Sequence, residues 1–139
     1  MKNVPTFGTK PEVHMATILR SLEHNDFVTN YPLKLKCRAY PVIPDILFPR
    51  QKVVVEVAGA YWHKSSIHKT RALRIKKDEA KRACLENNEY VYLEFDADDV
   101  NLAHDYLTRK QFKNKARARR AEKVFNEIKA AIDEALKGR

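Results

Sequence analysis

The spacing of apolar residues changes several times along this chain. After Thr9, residues Val13, Ile18, Leu19 and Leu22 recur at helical spacing, which predicts a helix through about His24. Thr9 is placed to cap its first turn. Glu12, three residues on, is placed to reach back and complete a capping box, and Pro11 suits that turn. Alternation and prolines follow in FVTNYPLKLKCRAYPVI, and PDILF reads as a short extended segment before a turn over Pro49 to Lys52. KVVVEVAG is the best strand of the chain. The run DILFPRQKVVVEV therefore predicts a β-hairpin with Asp45 on one arm and Glu56 on the other.

From about Ile67 to Asn87 the spacing is helical again, through Leu73, Lys76, Lys77, Ala80, Ala83 and Cys84. NNE closes that helix, and YVYLEF is a second clear strand. Asp98 or Asp99 is placed to cap a short helix carrying Val100, Leu102, Ala103 and Leu107. The last segment, about Lys113 to Lys137, has an apolar stripe at Ala121, Val124, Phe125, Ile128, Ile132 and Leu136, behind the basic run KNKARARR. The element order predicts one mixed α/β domain over residues 1–139. Its core spans about 9–96, followed by a helical extension over about 97–139.

Composition narrows the function classes. The chain has 139 residues, enough for one domain with a core, and 44% apolar with 32% charged residues belongs to globular proteins. Lys and Arg number 27 against 18 acids, a net charge of +9 that favours a polyanionic partner or a solvated basic surface. The two cysteines, Cys37 and Cys84, form no CxxC pair, so neither a disulfide framework nor a cysteine-rich zinc site is indicated. No apolar run approaches the roughly 20 residues of a membrane span. MKNVPTFGTKP lacks the apolar stretch of a signal peptide, so the chain reads as cytoplasmic and not secreted.

Two carboxylates stand inside apolar strands. Asp45 lies between Val42-Ile43-Pro44 and Ile46-Leu47-Phe48, and Glu56 interrupts Val53-Val54-Val55 and Val57. Alternation puts Val53, Val55 and Val57 on one face and Glu56 with Val54 on the other. If both faces of the sheet are covered, Glu56 needs a partner, because an isolated buried carboxylate is costly. A divalent cation shared with Asp45 across the hairpin would supply one. Otherwise Glu56 faces solvent and Asp45 is a turn residue.

These segments carry a family resemblance. The pair Pro44-Asp45, followed by a strand bearing Glu56, is similar to the PD-(D/E)xK nucleases. More narrowly, KPE, PDILF, VVVEVAGAYWH and KKDEAKRACLENNEYVYLEF resemble the very short patch repair endonucleases and the EDxHD homing endonucleases, over about Thr9 to Phe95. The resemblance implies a restriction-endonuclease-like fold, with a mixed central sheet flanked by helices and here a basic C-terminal helix. It implies a Mg²⁺-dependent DNA endonuclease, with Mn²⁺ able to substitute. Glu12, Asp45, Glu56, His63 and Asp78 are the catalytic set it implies. Asp45, Glu56 and the Val57 carbonyl would hold the cation, and Glu12 one of its waters. His63 would act as base or water-positioning group, oriented by Asp78. Ala58 stands where typical members carry lysine, which excludes the lysine-based mechanism here and agrees with the EDxHD subgroup. With Ser65 and Ser66 near the expected ligand positions of the repair enzymes, no structural zinc is expected.

The partner expected is DNA, double-stranded, bound by a monomer or weak dimer. Tyr61 and Trp62 either belong to the core or meet the DNA stack. Lys64, His68, Lys69, Arg71, Arg74 and Lys77 would grip backbone near the site, and Lys113, Lys115, Arg117, Arg119 and Arg120 a neighbouring stretch. Duller roles compete: Glu12 as capping residue alone, Asp78 as a surface ion pair with Lys76, Lys77 or Lys81. Whole-chain rivals are a non-catalytic nucleic-acid-binding module, an RNA or branched-DNA nuclease, and an assembly protein using its basic face.

Overall fold

A computed structural model describes residues 9–59 and 79–138. Helix α1 (Lys10–Ser21) opens on Thr9 with the expected capping box, Glu12 Oε1 accepting the Thr9 N–H at 3.3 Å. Strand β1 (Val28–Thr29) is short. It is followed by β2 (Ile46–Phe48) and β3 (Val53–Ala58), by the described part of helix α2 (79–87), and by β4 (Val91–Asp96). Helices α3 (Ala97–Leu107) and α4 (Lys115–Leu136) complete the chain.

The sheet order is β1-β2-β3-β4; the first two pairings are antiparallel and β3 runs parallel to β4. The β2–β3 hairpin is the one read from DILFPRQKVVVEV. Ile46 pairs with Val55, Leu47 with Val54 and Phe48 with Val53. Its turn closes through Lys52, which adopts φ 60° and donates its N–H to the Phe48 carbonyl at 2.9 Å. The Lys52 carbonyl in turn accepts from Val91 at 2.9 Å, setting the start of β4 beside the hairpin turn.

Both faces of this sheet are covered, which decides the fate of the β3 side chains. On one face Ile46, Phe48, Val53 and Val55 pack against Met15, Ile18 and Leu19 of α1, Val100 and Ala103 of α3, and Val124, Ile128 and Ile132 of α4. The C-terminal helices thus share the central core. Fully burying each such aliphatic side chain contributes about 1.5–3 kcal/mol. On the other face Leu47, Val54 and Tyr92 pack with Leu85 of α2 and with Val42, Leu33 and Leu35 from the loop before β2.

Two local expectations shift. Helix α3 begins at Ala97 with Asp96 as N-cap, leaving Asp98 and Asp99 in the first turn, where they complement the helix dipole. The absence of a CxxC spacing argued against disulfides, yet Cys37 and Cys84 are joined, their Cα atoms 5.9 Å apart. Packing of the loop before β2 onto α2 brings the two together, and no spacing rule speaks to such a lone bond. Among the described residues no helix is long and apolar enough to cross a membrane.

Candidate functional site

Extending the hairpin register by one pair sets Asp45 opposite Glu56, on the sheet face shared with Leu47 and Val54. Each carboxylate is fastened to the other arm. Glu56 Oε2 accepts the Asp45 N–H at 3.1 Å, and Asp45 Oδ2 accepts the Val57 N–H at 2.8 Å. Side chains held by backbone donors cannot swing away without losing those bonds. Asp45 is left with Oδ1 unbonded among the described residues. In a strand the N–H and C=O of one residue point to the same edge, so the Val57 carbonyl faces the edge that Asp45 occupies.

Glu56 does not face solvent. It is 9% exposed, the one buried charged side chain among the described residues. Its partner is Lys81, whose Nζ meets Glu56 Oε1 in an ion pair. Helix geometry explains the meeting: Lys81 and Leu85 are four residues apart and share one face of α2. Leu85 settles on Val54 and Tyr92, and Lys81 is thereby laid over the next residue along that face of β3, Glu56.

The electrostatics of Asp45 follow from this setting. Burial pushes its carboxyl from the ordinary 3.8 up to about 7. The Val57 hydrogen bond opposes the shift, the charges of Glu56 and Glu12 add to it, and Lys81 offsets part of it. Glu12 therefore plays two parts: it completes the α1 capping box and its charge reaches Asp45. Three carboxylates within electrostatic reach and one ammonium leave an excess of negative charge, and oxygen donors of this kind suit a hard divalent cation. Among the described residues no cluster of three or more His, Cys, Asp or Glu is arranged to ligate a metal by itself. A sparse Mg²⁺ site needs only one or two carboxylates, with the remaining positions filled by water or substrate.

The chain is similar to a nicking enzyme. Over 63 residues it is 32% identical to the type II nicking enzyme V.XorIIP of Xanthomonas oryzae pv. oryzae (strain KACC10331 / KXO85). That stretch covers 45% of this chain and 41% of the relative, so the match spans well under half of the relative's length. No family model matches the chain, and no solved structure matches it.

Of the residues singled out by sequence, Asp45, Glu56 and Val57 come together, and the charge of Glu12 reaches Asp45 from α1. His63 and Asp78 lie outside the described residues, as do Tyr61, Trp62, Lys64, His68, Lys69, Arg71, Arg74 and Lys77. Lys113, Lys115, Arg117, Arg119 and Arg120 are exposed around the start of α4, whose apolar stripe packs on the sheet face opposite α2. They are not gathered with Asp45, and Arg120 is engaged with Asp99 at 3.4 Å. Lys81 is the residue that sequence reasoning missed. Its signal was its spacing from Leu85, which separates it from the neighbouring Lys76 and Lys77 once α2 is known to cover the sheet.

Proposed function

We propose that this chain is a metal-dependent DNA endonuclease of the very short patch repair and EDxHD kind, hydrolysing one phosphodiester bond at Asp45. The observation that carries the reading is the Asp45–Glu56 pair, cross-fastened over the hairpin and faced by Lys81. Similarity to a nicking enzyme supports the same reaction class.

Asp45, Glu56 and the Val57 carbonyl are the residues that would hold Mg²⁺. A cation held there would supply charge neutralisation and Lewis-acid polarisation for a phosphoryl oxygen. Because both carboxylates are already tied to backbone N–H groups, little reorganisation accompanies the reaction, which is where electrostatic catalysis gains most. Lys81 places positive charge beside Glu56 from a helix, on the face where Ala58 offers none. In this reading Lys81 stabilises charge gathering on the phosphate as the new P–O bond forms and the bond to the leaving sugar oxygen breaks. His63 accepts the proton of the attacking water and Asp78 orients its imidazole. The exposed basic residues around the start of α4 hold a neighbouring stretch of duplex backbone.

Supercoiled plasmid incubated with the chain and Mg²⁺ should be converted to the nicked circle, and EDTA or Asp45→Asn should abolish the conversion. A panel of duplex, mismatched, branched and single-stranded DNA on which wild type and Asp45→Asn behave alike would sink the enzymatic reading. DNA binding that persists in that outcome would instead favour a non-catalytic binding module.

A further inference from the structure

The loop before β2 carries a feature that the endonuclease site does not use. Leu33 and Val42 close it as a small hairpin, with N–H to carbonyl bonds of 2.7 and 2.9 Å in both directions. A turn from the Arg38 N–H to the Leu35 carbonyl at 3.1 Å caps its tip. Leu33, Leu35 and Val42 point inward onto Leu47, Val54, Leu85 and Tyr92, and the Cys37–Cys84 disulfide ties the tip to α2. The apolar contacts and the disulfide thus hold one face of the loop down.

What the loop turns outward is basic and aromatic. Lys34, Lys36 and Arg38 alternate with the inward residues and are exposed; Tyr40 is 79% exposed and Tyr31 54%. From Phe27 to Pro44 the chain has these three cations and no acid. Among the described residues no carboxylate pairs with any of the three. A large aromatic ring held in solvent on a fastened loop contributes nothing to the core, and large exposed apolar residues in a cluster mark contact surfaces. Cations on a fixed scaffold interleaved with outward tyrosines suit a polymer with regularly spaced charge and stackable faces.

Its position favours the same DNA that the site would cleave. The loop runs from Asn30 to Asp45, and its two ends meet where the Asn30 N–H reaches the Asp45 carbonyl at 3.4 Å. From Val42 back to the turn is about five residues, roughly 16 Å of extended chain. That length matches several successive phosphates along a strand. We infer that the 33–42 hairpin is a second DNA-contacting element, with Lys34, Lys36 and Arg38 on the backbone flanking the scissile phosphate and Tyr40 against a base or sugar face. The inference rests on DNA being this chain's partner.

Anisotropy of a labelled 30-base-pair duplex, titrated with the full chain in EDTA over a series of salt concentrations, tests it. Replacing Lys34, Lys36 and Arg38 together with Gln should lower the slope of log affinity against log salt by about 2–3, since each phosphate no longer neutralised takes away about 0.9. Tyr40→Ala should weaken binding roughly fivefold or more with the slope unchanged. If the triple variant melts early, each single substitution should still lower the slope by about 1. A folded triple variant with the wild-type slope and affinity overturns the inference and leaves the endonuclease reading standing. Tighter binding of duplex RNA than of DNA through these residues also overturns it. Wild type that binds no duplex even at low salt overturns both.

Discussion

Asp45 and Glu56 each hold the other's strand: Glu56 Oε2 takes the Asp45 N–H at 3.1 Å, and Asp45 Oδ2 takes the Val57 N–H at 2.8 Å. This cross-fastening sets two carboxylates side by side, and burial first, then the charges of Glu56 and Glu12, push the Asp45 carboxyl up to about 7. The folded-state pKa lies above the ordinary 3.8, so the folded chain binds the extra proton between those values. Stability from this group is therefore present at low pH and is lost as pH rises through about 7.

Asp45→Asn removes that loss. At pH 8 without metal it should stabilise the fold by about 1–3 kcal/mol, the partial exposure of the site screening the full effect. The gain should vanish near pH 4. Urea denaturation at the two pH values measures it. Added Mg²⁺ should raise the wild-type melting temperature at pH 8 and leave the variant unmoved, since only a cation bound to the native state shifts the equilibrium. A variant no more stable than wild type at pH 8 would show that Asp45 is not under this electrostatic load.

Lys81 makes two separable contributions. Lys81→Met should lower the nicking rate by about 10²-fold, the scale of losing one preorganised electrostatic group. It should also cost about 1–3 kcal/mol, by leaving the Glu56 carboxylate buried without its cation. Adding Glu56→Gln should recover most of the stability and none of the rate. A Lys81→Met single variant that loses stability but keeps the wild-type nicking rate would make Lys81 a purely structural partner of Glu56.

The sequence made the hairpin legible because its signals are local: β-branched runs, a proline-bounded turn, and one acid on each arm. The capping box at Thr9 and Glu12 was readable for the same reason. What it could not convey was the second layer. Whether Glu56 is solvated depends on α2 covering the sheet, and which lysine of KKDEAK reaches it depends on how Leu85 seats on Val54 and Tyr92. The Cys37–Cys84 bond is non-local in the same sense, spanning 47 residues with no spacing motif.

His104 gives a second pH dependence of opposite sign. Its ring stacks on His14 with centroids 3.7 Å apart, and its Nδ1 is buried with no hydrogen-bond partner among the described residues. Burial and then the charge of His14 lower its pKa from 6.5; Lys10 adds to this and Asp105 opposes it, while His14 itself bonds Asn101 at 2.8 Å. A lowered histidine pKa means stability present above about 6.5 and lost as pH falls below it. His104→Gln should therefore flatten the melting temperature between pH 7 and pH 5 relative to wild type. In an Asp45→Asn background the wild-type histidine slope should stand out more clearly, the opposing carboxyl having been removed.

The disulfide closes a 47-residue loop that contains the whole β2–β3 hairpin. Loop-closure entropy alone assigns such a bond about 4 kcal/mol of stabilisation, acting through the unfolded chain. Reduction should therefore lower the denaturation midpoint, and Cys37→Ser should do the same without reductant. Because the bond ties the 33–42 hairpin to α2, its loss should also speed amide exchange at Leu33 and Val42, whose reciprocal bonds depend on the hairpin staying down. Exchange at Val54 and Val55, in the buried middle of β3, should change only by the global loss of stability. A reduced chain that keeps the oxidised midpoint and the oxidised exchange rates would show that the apolar contacts of Leu33, Leu35 and Val42 suffice to hold the loop.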